Sequence, residues 1–150
     1  MNPNFIEKLA GSVFFTGYSP VAPGTISSLA ALAIFLIPGF ENPTMMLIII
    51  SVFTVWGIKL GDKFEKKYGK DPSQCTIDEF VGTWISLLFV PKIYWILAID
   101  FVIWRLLDII KPFPAGVLEK LSGGKGIMLD DIVSGAYSLV IIHIFISLIF

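Results

Sequence analysis

The sequence predicts an all-α protein, a multi-pass membrane helical bundle of about five membrane helices with an N-terminal helix lying in the membrane interface. Three observations lead there. Charged residues make up 15% of the chain against 55% hydrophobic, where a water-soluble domain carries about 25% charged residues; the mean hydropathy is +0.82. Long apolar runs recur, separated by Pro-, Gly- or Lys-rich breaks. Finally, the cations fall almost entirely on one side of the topology those runs dictate. The 150 residues suit one domain, 1–150. A net charge of −1 leaves no electrostatic footprint for nucleic acid. Cys75 is the single cysteine, so no internal disulfide forms.

The elements follow in order. Phe5, Ile6, Leu9, Ala10, Val13 and Phe14 repeat at helical spacing on one side. Asn4 caps this helix and Glu7 stands at the capping-box position. Glu7 and Lys8 interrupt the segment, and no small-residue cleavage site follows it, so it does not read as a signal peptide. Gly17 to Gly24 contains two prolines and two glycines and reads as a turn; Thr25 is the expected cap of a helix over Ile26–Ile37, which Pro38-Gly39 ends. A second apolar run covers Thr44 to about Leu60, followed by a polar stretch from Gly61 to Gln74. Thr76-x-x-Glu79 reads as a capping box for a third run, Ile77–Val90, broken at Pro91. A fourth run, Ile93–Ile110, ends in ionisable residues before Pro112. The last helix is expected from near Asp130 to Phe150, after the loop Gly123-Gly124-Lys125-Gly126.

Five antiparallel membrane helices put the loops at 16–25, 61–79 and 108–131 on one side. Of the eleven Lys and Arg residues, only Lys92 falls on the other. The positive-inside rule makes the long-loop side cytoplasmic.

That side also gathers the acids. Ile77-Asp78-Glu79-Phe80-Val81-Gly82 and Leu129-Asp130-Asp131-Ile132-Val133-Ser134-Gly135 share one pattern: two carboxylates at an expected helix start, and a glycine about a turn deeper where another helix can approach. First-turn acids stabilise a helix dipole by about 0.3–1 kcal/mol, which accounts for one such pair. Two pairs, with Asp71 and Asp108 at similar depth, form a crowd that must take up protons or share a cation. Oxygen-only ligands favour Mg²⁺, Mn²⁺ or Ca²⁺. Arg105, Asp108 and Lys111 lie on roughly one face of the fourth helix, where Arg105 either forks onto a phosphate or pairs with Asp108. The Pro-Gly-Thr turn at 23–25 offers free backbone N–H groups at a helix start.

Other phosphatase chemistries lack their residues. His143 is the one histidine, deep in the last apolar run, which excludes a two-histidine mechanism. Cys75 has Val81 rather than arginine six residues on, and no Asp-x-Asp pair is present. Asp100 lies within the fourth apolar run, and an intramembrane acid is a functional candidate. With Glu79 it supports an alternative reading, a small ion or proton transporter.

The chain resembles the bacterial phosphatidylglycerophosphatase A family. The resemblance rests on Pro20-Val21-Ala22-Pro23-Gly24-Thr25, on Lys70-Asp71-Pro72 with Asp78-Glu79-Phe80-Val81-Gly82, on Arg105-Leu106-Leu107-Asp108 through Lys111-Pro112-Phe113-Pro114, and on Gly123-Gly124-Lys125-Gly126 through Asp130-Asp131. Ser27 stands where the family often has glycine. The resemblance implies a Mg²⁺-dependent hydrolase of the bacterial cytoplasmic (inner) membrane, converting phosphatidylglycerophosphate to phosphatidylglycerol and inorganic phosphate at the cytoplasmic face. Its partners would be the phospholipid substrate and the bilayer, with no protein partner implied. Asp71, Asp78, Glu79, Asp108, Asp130 and Asp131 would supply metal ligands; Asp78, Glu79, Asp131 and Arg105 the catalytic groups; Thr25, Lys70, Arg105 and Lys111 the phosphate contacts.

Overall fold

A computed structural model describes residues 2–150, and every element of regular structure among them is helical. The helices are α1 (Phe5–Gly11), α2 (Pro23–Phe35), α3 (Pro43–Tyr68), α4 (Ile77–Ser86), α5 (Tyr94–Ile110), α6 (Ala115–Leu118) and α7 (Gly124–Ile149), with a 3₁₀ turn at Thr16–Tyr18. The short α4 lies at the centre, against α2, α3, α5 and α7.

The expected capping box of α1 forms: the Glu7 N–H donates to Asn4 Oδ1 at 2.9 Å and the Asn4 N–H to Glu7 Oε2 at 3.0 Å. Glu7 also pairs with Lys63, which fastens α1 to α3. Elsewhere the boundaries shift for identifiable reasons. Helix α2 starts at Pro23, because proline's fixed φ and missing N–H suit a first helical position. Thr25 therefore sits inside the helix and does not cap it. Helix α3 continues to Tyr68, well past Leu60, since Lys and Glu propagate a helix until Gly69 at φ +98 stops it. The third apolar run is helical only to Ser86; Phe89 turns at positive φ ahead of Pro91.

Thr76 precedes α4 without capping it. Its backbone N–H donates to the Gly11 carbonyl at 2.9 Å, its carbonyl accepts from Ser27 Oγ at 3.0 Å, and its hydroxyl meets Thr16 Oγ1 at 3.2 Å. The residue thus ties α1, the 3₁₀ turn and α2 to the start of α4. Ser27 has its own task here, as a donor to the Thr76 carbonyl.

Helix α7 begins six residues before Asp130. Asp62 Oδ1, from α3, accepts the Gly124 N–H at 2.8 Å. The cap comes from a distant part of the chain, so no local pattern announces it. Asp130 and Asp131 consequently lie about two turns into the helix, where the dipole benefit has decayed.

Glycines set the helix crossings. A Cβ on Gly135 would stand 2.6 Å from the Gly82 carbonyl oxygen, and one on Gly61 2.6 Å from the Gly124 Cα. Both contacts are backbone to backbone, α7 on α4 and α7 on α3. Deeper along the same helices, Asp100 is fully buried and accepts hydrogen bonds from Ser86 Oγ at 2.9 Å and Ser138 Oγ at 2.8 Å, joining α4, α5 and α7. His143 Nδ1 lies 2.8 Å from the Leu139 carbonyl of its own helix.

Two helices, α3 and α7, are each 26 residues and apolar enough to cross a membrane. At about 1.5 Å per residue either exceeds a hydrocarbon core of about 30 Å. Helices α2, α4 and α5 have 13, 10 and 17 residues. Large apolar side chains face outward along the long helices, among them Val52, Val55, Val140, Ile144 and Leu148.

Gly135→Val places two methyl groups against the α4 backbone and lowers stability by about 1–3 kcal/mol. A lower unfolding midpoint in detergent checks this; an unchanged midpoint would mean that the crossing has slack.

Candidate active site

The loop between α3 and α4, the start of α4, the end of α5 and α7 about two turns from its start enclose one polar cavity of about 320 Å³. Its walls include Asp71, Ser73, Cys75, Asp78, Glu79, Asp108, Lys111 and Asp131. Carboxylate oxygens of Asp78, Glu79 and Asp131 lie within 4.8 Å of one another. Asp78 and Asp131 are only 7% and 2% exposed. Each member of the trio also has one buried oxygen without a hydrogen-bond partner: Asp78 Oδ1, Glu79 Oε2 and Asp131 Oδ2. Orphaned buried carboxylate oxygens are costly. At an effective dielectric of about 20, two unit charges this close repel by about 3 kcal/mol. That exceeds what a helix dipole returns, so capping does not explain the cluster. The donor set, all oxygen and converging from two helices, fits a hard divalent cation such as Mg²⁺.

Cations flank the acids. Arg105 Nη1 pairs with Asp108 Oδ2 at 2.7 Å and donates to Ser28 Oγ at 3.3 Å, while its Nε is buried and unpartnered. The start of α2 presses directly on this group. A Cβ on Gly24 would run into Glu79 Oε1 and come within 3.1 Å of Arg105 Nη2. Glycine here lets the α2 backbone lie against Glu79 and Arg105 without displacing the tip of either side chain.

Lys111 follows α5 in the left-handed region, φ +50, and its ammonium donates to Asp130 Oδ2 at 2.5 Å and Glu119 Oε1 at 2.9 Å. Burial works against its charge, but these two carboxylates outweigh burial and hold the ammonium above the usual lysine range. Asp71 stands exposed at the cavity mouth. Desolvation by the surrounding protein raises its carboxyl, with Lys111 pulling the other way. Burial pushes the Cys75 thiol up, which makes it a poor nucleophile despite its place in the wall.

The sequence model of the family described as phosphatidylglycerophosphatase A matches residues 9–146. The chain belongs to the phosphatidylglycerophosphatase A family. It is therefore a phosphatase, a hydrolase of lipid metabolism. It is 36% identical to a phosphatidylglycerophosphatase A of Escherichia coli over 87% of this chain and 77% of the relative. The corresponding protein of Haemophilus influenzae is also 36% identical, over 86% of this chain and 82% of the relative. A Bacteroides thetaiotaomicron protein, provisionally named a phosphatidylinositol-3-phosphatase, is 38% identical over 95% of this chain and 94% of its own. No solved structure matches significantly.

Within this family member, Asp71, Asp78, Glu79, Asp108, Asp131 and Lys111 line one cavity. Four expected residues stand outside the wall, Arg105 among them, behind Asp108. Asp130 lies outside the carboxylate trio and is engaged by Lys111. Lys70 is exposed and donates to the Leu121 carbonyl. Thr25 is not in the cavity wall; its neighbour Gly24 makes the close approach. Asp108 is in the wall but is held by Arg105 rather than grouped with the trio. Ser28, Ser73 and Glu119 were not singled out by the sequence. Ser28 lies one helical turn beyond Gly24, a spacing visible only once α2 is known to start at Pro23.

Asp131→Asn removes one of three crowded charges. In EDTA, at a pH that ionises all three, it raises the stability of the folded protein by roughly 1–3 kcal/mol, read as a higher unfolding midpoint. A lower midpoint would show that the Asp131 charge is already satisfied within the protein.

Proposed function

We propose that this protein removes the terminal phosphate of phosphatidylglycerophosphate, with Mg²⁺, at the cytoplasmic face of a bacterial inner membrane. The observation that carries the reading is the meeting of Asp78, Glu79 and Asp131 with Lys111 in one cavity, where Arg105 pairs with Asp108 of the wall. Family membership and the names of the Escherichia coli and Haemophilus influenzae relatives support the substrate.

Asp78, Glu79 and Asp131 would hold Mg²⁺, whose orphaned-oxygen cradle they form. Bound there, the ion supplies charge neutralisation and water activation. Arg105 is fixed by Asp108 and Ser28, and its guanidinium stabilises charge growing on the phosphoryl oxygens. Lys111 binds the incoming phosphate. Asp71, at the mouth and outside the trio, takes the proton from the attacking water; its raised carboxyl suits a base working nearer neutral pH.

The membrane placement belongs to the same proposal. Helices α3, α5 and α7 carry the apolar exterior. Helix α4, too short to cross alone, packs among them and against α2, whose Ile26 and Leu29 face outward, and α4 starts at the polar cavity. Together these make the five membrane helices, with α1 in the interface. Lys92 marks the far side, where it donates to Glu41 at 2.6 Å and the Ile37 carbonyl at 2.8 Å. The cavity lies at the end richest in Lys and Arg, hence the cytoplasmic one.

A second reading keeps the chemistry and changes the head group. The Bacteroides thetaiotaomicron relative favours an inositol 3-phosphate lipid. Phosphate release from both lipids by the purified, detergent-solubilised protein separates the two. Phosphatidylglycerophosphate is the preferred substrate, EDTA stops its hydrolysis, and Mg²⁺ restores it. Turnover indifferent to chelation, or confined to the inositol lipid, refutes the corresponding part. Asp131→Asn lowers phosphate release by about a hundredfold or more, measured with saturating Mg²⁺, while the variant still inserts and folds.

A further inference from the structure

Asp130 and Asp131 adjoin in sequence, yet their side chains serve different neighbours. Successive residues on an α-helix point about 100° apart. Asp131 joins Asp78 and Glu79, whereas Asp130 turns to Lys111. The Asp130 side chain is 3% exposed and that of Glu119, the other carboxylate on Lys111, is 38% exposed.

We propose that Asp130 is a positioning residue that holds Lys111 at the cavity wall, and that Glu119 is a place-holder on the same ammonium, which the substrate's phosphate displaces. This rests on the assignment of Lys111 as a phosphate-binding group. The two partners differ in what holds them. Asp130 is out of water in its pair, so losing Lys111 would strand a buried carboxylate. The Glu119 pair is wet and screened, so it exchanges readily. Lys111 has three N–H donors on a flexible stem. A dianionic phosphate on that ammonium would face the Glu119 carboxylate at close range, and like charges drive the weaker-held one away. Glu119 also follows the four-residue α6, so its departure disturbs no long helix. In the absence of substrate, Glu119 keeps the Lys111 charge compensated; Asp130 keeps it in place throughout.

The test uses the full-length protein in detergent micelles with two probes, Mn²⁺ followed by the electron paramagnetic resonance of the free ion, and inorganic phosphate followed by calorimetry with Mn²⁺ present. Asp131→Asn weakens Mn²⁺ binding by about tenfold or more. Asp130→Asn and Lys111→Gln leave Mn²⁺ binding within about twofold but weaken phosphate by about tenfold, and the double variant is no weaker than either single one. Glu119→Gln tightens phosphate by about two- to fivefold, the range of an exposed ion pair. A site that is merely loosened loses both probes together. Lys111→Gln, which leaves Asp130 in place, carries the test should Asp130→Asn fold poorly. The proposal is overturned if Asp130→Asn weakens Mn²⁺ as Asp131→Asn does, if the Asp130 and Lys111 effects add, or if Glu119→Gln fails to tighten phosphate. Neither probe needs turnover. A wild-type protein inactive on lipid phosphomonoesters would refute the proposed function without deciding the roles of Asp130 and Glu119.

Discussion

The structure depends on how closely α4 and α7 cross. At Gly82 and Gly135 the two backbones touch with no room for a side chain. That contact lies one turn from Asp78 and Glu79 on one helix and from Asp131 on the other, so it sets the separation of the three carboxylates. A wider crossing would let each acid reach water on its own. The Asp100 bonds to Ser86 and Ser138 hold the same helices further along, and Trp104 packs on the open face of Gly82. The acids are thus forced together by packing that is indifferent to their charge.

Charge then organises the rest. Each cation that borders the cavity is bound to an acid that stands outside the trio: Arg105 to Asp108, and Lys111 to Asp130 and Glu119. The trio keeps its orphaned oxygens because the neighbouring cations are committed elsewhere. Under the proposed function such a site takes a small cation on one side and an oxyanion on the other. The α2 start approaches Glu79 and Arg105 from a third direction at Gly24, where an added methyl group would displace the Glu79 carboxylate.

Much of this was legible in the residues. The apolar runs located every long helix, and the capping box of α1 formed as its residues dictate. The repeated acid pairs with a glycine a turn deeper pointed to the two helices that meet. Boundaries failed where a distant group took over a local role. Thr76 looked like a cap and instead ties α1, the 3₁₀ turn and α2 to α4. Asp62 caps α7 from α3, so that helix starts before any local signal. The polar end of α3 read as loop because its residues are charged, yet nothing in it stops a helix before Gly69.

Local residue patterns fix the helical class, the apolar lengths and the set of acids and cations available for chemistry, because periodicity, proline and glycine act within a few residues. The partners of those residues come from packing between helices. Asp130 and Asp131 are equivalent in any local pattern, and a rotation of about 100° along α7 sends one to Lys111 and the other to Asp78 and Glu79. Which carboxylate meets other acids and which meets a lysine follows from the neighbouring helix each one faces, and that is settled where backbones pack.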